Sequence, residues 1–272
     1  MKSFIVDKNG KLSKLATLYI DDITFSALRD ALKKKDVKVN GKRISKDISL
    51  NVGDKVEIYY VPNKTVGYTT LFSDQNVVVI NKKSGYTSEN VYAQLLSEFD
   101  TAKFIHRLDR NTSGLMIFAL NDVAEKELLD GFKKHAFNKI YRARVKGTLQ
   151  KKKDILSAFL FKDQKDALVT VTANKVKGSV QIKTGYEVVD EHGEYSDLNV
   201  TLYTGKTHQI RAHLAFIGHP ILGDGKYGDF ALNNSLKLKR QLLTAIELTL
   251  FFDKGSSLYY LNNKKFSIKA EF

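Results

Sequence analysis

The stretch Phe104-Ile105-His106-Arg107-Leu108-Asp109-Arg110-Asn111-Thr112-Ser113-Gly114-Leu115-Met116-Ile117-Phe118-Ala119-Leu120 sets reactive side chains between two apolar runs. Leu115 to Leu120 is too short for a helix and reads as a buried strand. The polar part reads as a loop that presents Asp109, flanked by two guanidinium groups, from between buried elements. A solvated charged loop has the same composition, so these letters alone leave the work of Asp109 open.

Working outward, apolar Val77 to Ile80 is a second buried strand, ending at Lys82-Lys83-Ser84-Gly85. Asn121 can cap a helix carrying Val123, Leu128, Leu129 and Phe132. Tyr141, Ala143 and Val145 alternate as in a strand, and period-two runs follow at 167–172, 180–189 and 198–203. Thr207 can cap a helix that stops at Gly218, ahead of His219-Pro220. Strands outnumber helices and the connections look like hairpins. An α+β domain on a mixed, mainly antiparallel sheet flanked by helices is therefore expected over residues 75–272.

Residues 1–61 form a separate basic block with thirteen Lys or Arg against eight Asp or Glu, a net of +5. Ser26 to Lys35 carries Ala27, Leu28, Ala31 and Leu32 on one helical face, with Arg29, Lys33, Lys34 and Lys35 opposite. Val37 and Val39 enter an Asn40-Gly41 turn, and Val56, Ile58 and Tyr60 alternate behind Gly53-Asp54. Pro62 and the residues after it read as a linker over 62–74.

The whole chain has 272 residues, a formal charge of +14 and 43% hydrophobic residues. That balance fits a folded protein with an anionic partner. With no cysteine, disulfides, cysteine-ligated zinc, iron–sulfur clusters and thiol chemistry are excluded. No run approaches the roughly 18 to 20 apolar residues of a membrane span, so no membrane role and a cytoplasmic location are expected.

Familiar chemical templates fail. His106-Arg107-Leu108-Asp109 carries an extra leucine relative to a kinase catalytic loop, and no glycine-rich loop accompanies it. Thr204-Gly205-Lys206-Thr207 ends like a phosphate-binding loop, yet Val200 occupies the place of its first glycine. His208 and His213 lie about 140° apart around a helix, and no metal site is expected.

Four blocks together are decisive. His106-Arg107-Leu108-Asp109-x-x-Thr112-Ser113-Gly114-Leu115, Lys139-x-Tyr141-x-Ala143, Thr204-Gly205-Lys206-Thr207-His208-Gln209-Ile210-Arg211-x-His213-Leu214 and Gly218-His219-Pro220-Ile221-x-Gly223-Asp224-x-x-Tyr227-Gly228 resemble, in order and spacing, the motifs of RluA-type pseudouridine synthases. The likeness runs over about residues 75 to 270. The N-terminal basic block, from Thr24 through Val37-Lys38-Val39-Asn40-Gly41 to Gly53-Asp54-x-Val56-x-Ile58, resembles an S4 RNA-binding domain.

The resemblance implies isomerisation of uridine in RNA to its carbon-glycosidic isomer without cofactor or metal. Asp109 matches the catalytic aspartate, which must be ionised either to attack C1′ or to remove a proton from C2′. Arg211 matches the arginine that pairs with it and favours the charged form. Its fork is expected to hold that carboxylate in a fixed pose. Tyr141 matches the tyrosine that stacks on the uracil, near the site of proton exchange at C5. Arg107 matches the arginine that takes the place of the extruded base, and Ile210 walls the uracil pocket. His106 and Thr112 are counted with these substrate-binding residues, and with Ser113 and Gly114 they also serve the architecture of the loop. Gly223-Asp224-x-x-Tyr227-Gly228 reads as a structural loop.

Several positions depart from the family pattern. Lys82-Lys83-Ser84-Gly85 stands where Lys-Pro-x-Gly is usual, Lys206 where arginine is usual and Thr244 where histidine is common. In the N-terminal basic block Phe25 replaces a frequent arginine and Lys35 a frequent glycine. Arg29, Lys33, Lys34, Lys35, Lys38, Lys42 and Arg43 are the expected RNA-binding set, acting through phosphate. The S4-like block points to large-subunit (23S) ribosomal RNA rather than transfer RNA, with a monomer expected. A non-catalytic RNA-binding or ribosome assembly factor on the same fold, or a synthase acting on tRNA, are the alternatives.

Overall fold

The computed structural model describes residues 1–20, 23, 25–60, 66–162 and 168–272, with only the backbone of Phe25 and Ser26. The chain divides into two compact units, Met1–Thr65 and Val66–Phe272. The expected linker cues Pro62 to Lys64, together with Thr24 and Ala167, lie outside the described residues.

In the first unit the elements are β1 (Lys2–Ile5), β2 (Gly10–Lys11), α1 (Leu12–Tyr19), α2 (Phe25–Lys33), β3 (Val37–Val39), β4 (Lys42–Ile44), β5 (Ser49–Leu50) and β6 (Lys55–Ile58). A sheet ordered β1-β6-β3-β4 packs its inward residues, Val37, Val56 and Ile58, against Leu15, Ala16, Leu28 and Leu32 of the two helices. Asn40 and Gly41 both have positive φ, as a two-residue hairpin turn requires. Lys35 also has a positive φ, of 58°, at the end of α2. That conformation explains why a glycine suits the position better.

The second unit comprises β7 (Tyr68–Ser73), β8 (Val77–Lys82), α3 (Ser88–Leu95), β9 (Lys103–Phe104), β10 (Ser113–Ala119), α4 (Asp122–Lys133), β11 (Asn138–Lys146), β12 (Lys153–Lys162), β13 (Val169–Thr172), β14 (Val180–Glu191), β15 (Tyr195–Leu202), α5 (Gln209–Phe216), α6 (Phe230–Ser235), β16 (Leu243–Thr249) and β17 (Lys265–Ser267). Its sheet runs β13-β12-β14-β15-β11-β16-β10-β8-β7, with β9 beside β10 and β17 beside β16. Among the described pairs only β10 with β16 is parallel. Part of the expected linker is therefore the first strand of this sheet: β7 pairs with β8, and its Tyr68 is buried.

Alternation explains the uninterrupted apolar strands. Val78, Ile80, Met116 and Phe118 face one core with Tyr141, Ala143, Ile210 and Leu214, while Val77, Val79, Leu115 and Ile117 face another with Leu128 and Phe137. Strands covered on both sides lose the polar face that a half-exposed strand shows. The same alternation puts Tyr141 of β11 on the face covered by α5. Asn121 caps α4, its side chain accepting from the Ala124 N–H at 2.9 Å.

Gly114 is where the parallel pair closes. It has φ +117°, and a Cβ there would lie 2.3 Å from the Ala245 carbonyl oxygen. Backbone on both sides leaves nothing that can give way. Gly114→Ala is expected to destabilise the protein by about 3 kcal/mol, read as a lower denaturant midpoint.

Candidate active site

Asp109 sits in the loop between β9 and β10, and its backbone carbonyl accepts from the Thr112 N–H at 3.1 Å. The loop is pinned from below by Lys82, which is fully buried and donates to the carbonyls of Lys83 (3.1 Å), Tyr86 (2.8 Å) and Arg110 (3.2 Å). Burial pulls the Lys82 ammonium down to about 8, although the charge of Asp109 works the other way. Ser84 donates to the Asn111 carbonyl at 2.8 Å, and the Gly85 N–H donates to the Arg110 carbonyl at 2.9 Å. Lys83, where the family usually has proline, donates its N–H to Gly67 at 2.7 Å, a bond that proline cannot make.

Arg211 projects from the first turn of α5 and is buried. It donates from Nη1 to the Asp109 carboxylate at 2.8 Å. Its two-pronged fork goes elsewhere: Nε and Nη2 donate to Asp224 at 2.6 and 2.9 Å. The expectation that the fork grips Asp109 is corrected here, because Asp224, at 0% exposure, occupies the Nε and Nη2 fork and leaves Nη1 for the loop. Burial alone would lower Arg211, but the hydrogen bonds and charges of Asp224 and Asp109 raise it. Burial would raise Asp224, but Arg211 and the N–H groups of Lys226 and Tyr227 hold it below the usual carboxylate range. The Tyr227 ring lies 5.2 Å from the Arg211 guanidinium, and its hydroxyl is 2.9 Å from Nδ1 of His208.

The start of α5 also differs from expectation. Thr207 is no cap; His208 takes that position in the left-handed region, with φ 55° and no side-chain capping bond. Buried Gln209 organises the turn instead, accepting from Thr204 Oγ1 (2.9 Å) and the Lys206 N–H (3.1 Å) while donating to Thr184 Oγ1 (3.0 Å). A strained non-glycine residue beside Asp109, with Nε2 3.9 Å from its carboxylate, is typical of a site that the surrounding structure over-determines.

All seven residues expected at the catalytic and substrate-binding site line one cavity of about 570 Å³. Asp109 reaches it with 22% of its side chain exposed. Tyr141 is buried, and its hydroxyl is pushed up by burial and by the charge of Asp109, so it is protonated at neutral pH. Ile210 is buried in the cavity wall and in the core together. Arg107 is exposed at the rim and meets Glu89 at 3.3 Å. His106 and Thr112 are tied to the scaffold: the Ile117 N–H donates to His106 Nε2 at 3.1 Å, and Gln241 donates to the Thr112 hydroxyl at 2.7 Å. Thr244, at the place of the common histidine, shares a 2.8 Å hydrogen bond with Ser113.

These placements, with a fold to match, are joined by the comparison that decides the family. Residues 59–216, more than half the chain, match the model of the RNA pseudouridylate synthases. This chain belongs to that family. The synthase is 27% identical over 258 residues to ribosomal large subunit pseudouridine synthase C of Vibrio parahaemolyticus, covering 84% of this chain and 81% of that one. It is 34% identical over 173 residues to the dual-specificity RNA pseudouridine synthase RluA of Yersinia pestis, covering 58% and 80%. The structure of human RNA pseudouridylate synthase domain containing 1 shares its fold, with a TM-score of 0.64, 23% identity and coverage of 72% and 83%. The synthase is thus an isomerase acting on RNA.

Two histidines packed into the synthase, half-buried His106 and buried His213, give its stability a pH dependence. Burial lowers His106 to about 3 and His213, bonded to Thr184 at 3.0 Å, to about 4. Both stay neutral in the folded protein while the unfolded chain takes up protons. Their stabilising contribution is full above about pH 6.5 and is lost as pH falls toward those folded values. Between about pH 7.5 and about pH 5 each should cost about 2 kcal/mol, measurable by urea denaturation at the two pH values.

Proposed function

We propose that this synthase converts specific uridines of structured RNA, in the large-subunit (23S) ribosomal RNA, to pseudouridine, with Asp109 as the catalytic carboxylate. The observation that carries the reading is Asp109 held by a buried arginine in a cavity that Tyr141 shares. The reaction breaks the bond from N1 to C1′, turns the uracil and rejoins it through C5. A carboxylate beside the sugar can attack C1′ or take a proton from C2′. Arg211 fixes its position, and the protonated Tyr141 hydroxyl and ring can stack on the base and move a proton near C5.

The base must leave its stack to enter the cavity, at a cost of a few kcal/mol. Arg107 suits the place of the departed base, being a planar cation at the rim whose exposed pairing with Glu89 is cheap to break. In the first unit Lys34, Lys35, Lys38 and Arg43 line a concavity of about 690 Å³ with Tyr59. Arg29, Lys33 and Lys42 are exposed outside it. We read this unit as an S4-like module that grips RNA phosphate. A pure RNA-binding protein is disfavoured, because binding alone has no use for a chain of buried charges ending on a cavity carboxylate. Pseudouridine maps of ribosomal and transfer RNA from cells with and without the gene test the proposal. One or a few uridines of large-subunit RNA should lose the modification; unchanged maps would support the binding protein, and losses only in tRNA would move the target.

A further inference from the structure

Lys139 is the part of the Lys139-x-Tyr141-x-Ala143 pattern to which the proposed chemistry gives no work. It lies two residues before Tyr141 on β11, so the two side chains leave the same face of the strand, about 7 Å apart along it. Both line the cavity. The Lys139 ammonium is half-buried, packs 5.4 Å from the Phe132 ring and donates to the Phe137 carbonyl at 3.3 Å. Among the described residues no carboxylate lies within ion-pair distance of it. Burial lowers it from the ordinary lysine value with no anion to offset the loss of water.

Besides Arg107, Arg211, His106 and His208, three more basic side chains line the same cavity: Lys133, His135 and Lys206. His135 has φ 54°, in the turn after α4, and is lowered by burial and then by the charges of Lys139 and Lys206. None of Lys139, Lys133, His135 and Lys206 is in an ion pair among the described residues. The one acid lining the cavity is Asp109, which already accepts from Arg211. Gathering cations without a counter-charge costs free energy that a bound anion returns.

We propose that Lys139 and Lys206, with Lys133 and His135 beside them, form a phosphate subsite that takes the phosphodiester next to the flipped uridine. The inference rests on the cavity receiving uridine. Lys139 stands about 7 Å along β11 from Tyr141, a spacing that lets its long side chain reach the backbone of a nucleotide whose base stacks on that ring. Ammonium groups suit such a ligand, since a phosphodiester can turn its oxygens to meet point charges. The subsite would register the nucleotide so that its sugar faces Asp109.

The test compares uridine, uridine 3′,5′-bisphosphate and inorganic phosphate binding to the full-length protein by calorimetric or NMR titration. Wild type should bind the bisphosphate at least about tenfold more tightly than uridine, and more tightly than inorganic phosphate. In Lys139→Met and Lys206→Met that ratio should fall toward one. Lys206 is exposed, so its variant keeps the reading safe from misfolding. Equal binding of uridine and bisphosphate, a ratio unchanged in both variants, or inorganic phosphate binding as tightly as the bisphosphate would overturn the subsite. Isomerisation of ribosomal RNA without any phosphate advantage removes the subsite alone. A phosphate advantage in a protein that leaves RNA maps unchanged removes the synthase chemistry and keeps the subsite.

Discussion

Asp109→Asn is expected to reduce pseudouridine formation by at least about four orders of magnitude while RNA affinity changes by less than about threefold. Asparagine keeps the size of the side chain and an oxygen that can accept from Arg211. It supplies neither the negative oxygen to attack C1′ nor the base to take a C2′ proton. The fold should be untouched, because Asp109 lies in a loop pinned by Lys82 and Arg211 keeps Asp224. Single-turnover formation of pseudouridine, followed by mass spectrometry, reads the rate, and filter binding reads the affinity. Activity close to wild type would remove Asp109 from the chemistry.

Asp224→Asn acts on the same arginine and should look different. It leaves the Arg211 cation buried with its fork facing a neutral amide, and breaking a buried pair from one side costs about 3 to 5 kcal/mol. Both the denaturation midpoint and the rate should drop, whereas Asp109→Asn lowers the rate alone. Replacing both partners, Arg211→Met with Asp224→Leu, removes the unpaired charge along with the pair. That double variant should recover much of the stability lost in Asp224→Asn and none of the activity. If Asp224→Asn leaves the midpoint unchanged, the pair does not hold the arginine.

The contrast marks what could be read from the chain. Val77 to Ile80, Leu115 to Leu120 and the alternation at Tyr141 were legible because burial on one or both faces writes a period into the residues. β7 was not: Tyr68-Thr69-Thr70-Leu71-Phe72 forms an edge strand whose exposed middle follows glycine and linker-like letters. β12 was hidden for a related reason, since Ile155, Leu156, Phe159 and Leu160 fall on both faces and blur the alternation.

The site divides in the same way. Asp109, Tyr141 and Arg211 came from a resemblance of ordered motifs, and the fold brings them to one cavity. Asp224 was read as part of a structural loop because Gly223-Asp224-x-x-Tyr227-Gly228 has that composition. Only the folded chain shows its carboxylate meeting an arginine thirteen residues earlier. The apolar run Ile221-Leu222 leading into it was the available signal that this aspartate is carried inward. Thr207 looked like a cap by type and place, but the buried Gln209 amide bonds the turn more fully than one hydroxyl could.

The most direct measurement is tritium release from C5-labelled uridine in large-subunit ribosomal RNA prepared from cells lacking the gene and incubated with the purified protein. The account expects release that saturates at the one or few uridines missing from the map, with none from the Asp109→Asn variant. No release by the wild-type protein, or equal release by the variant, would contradict it.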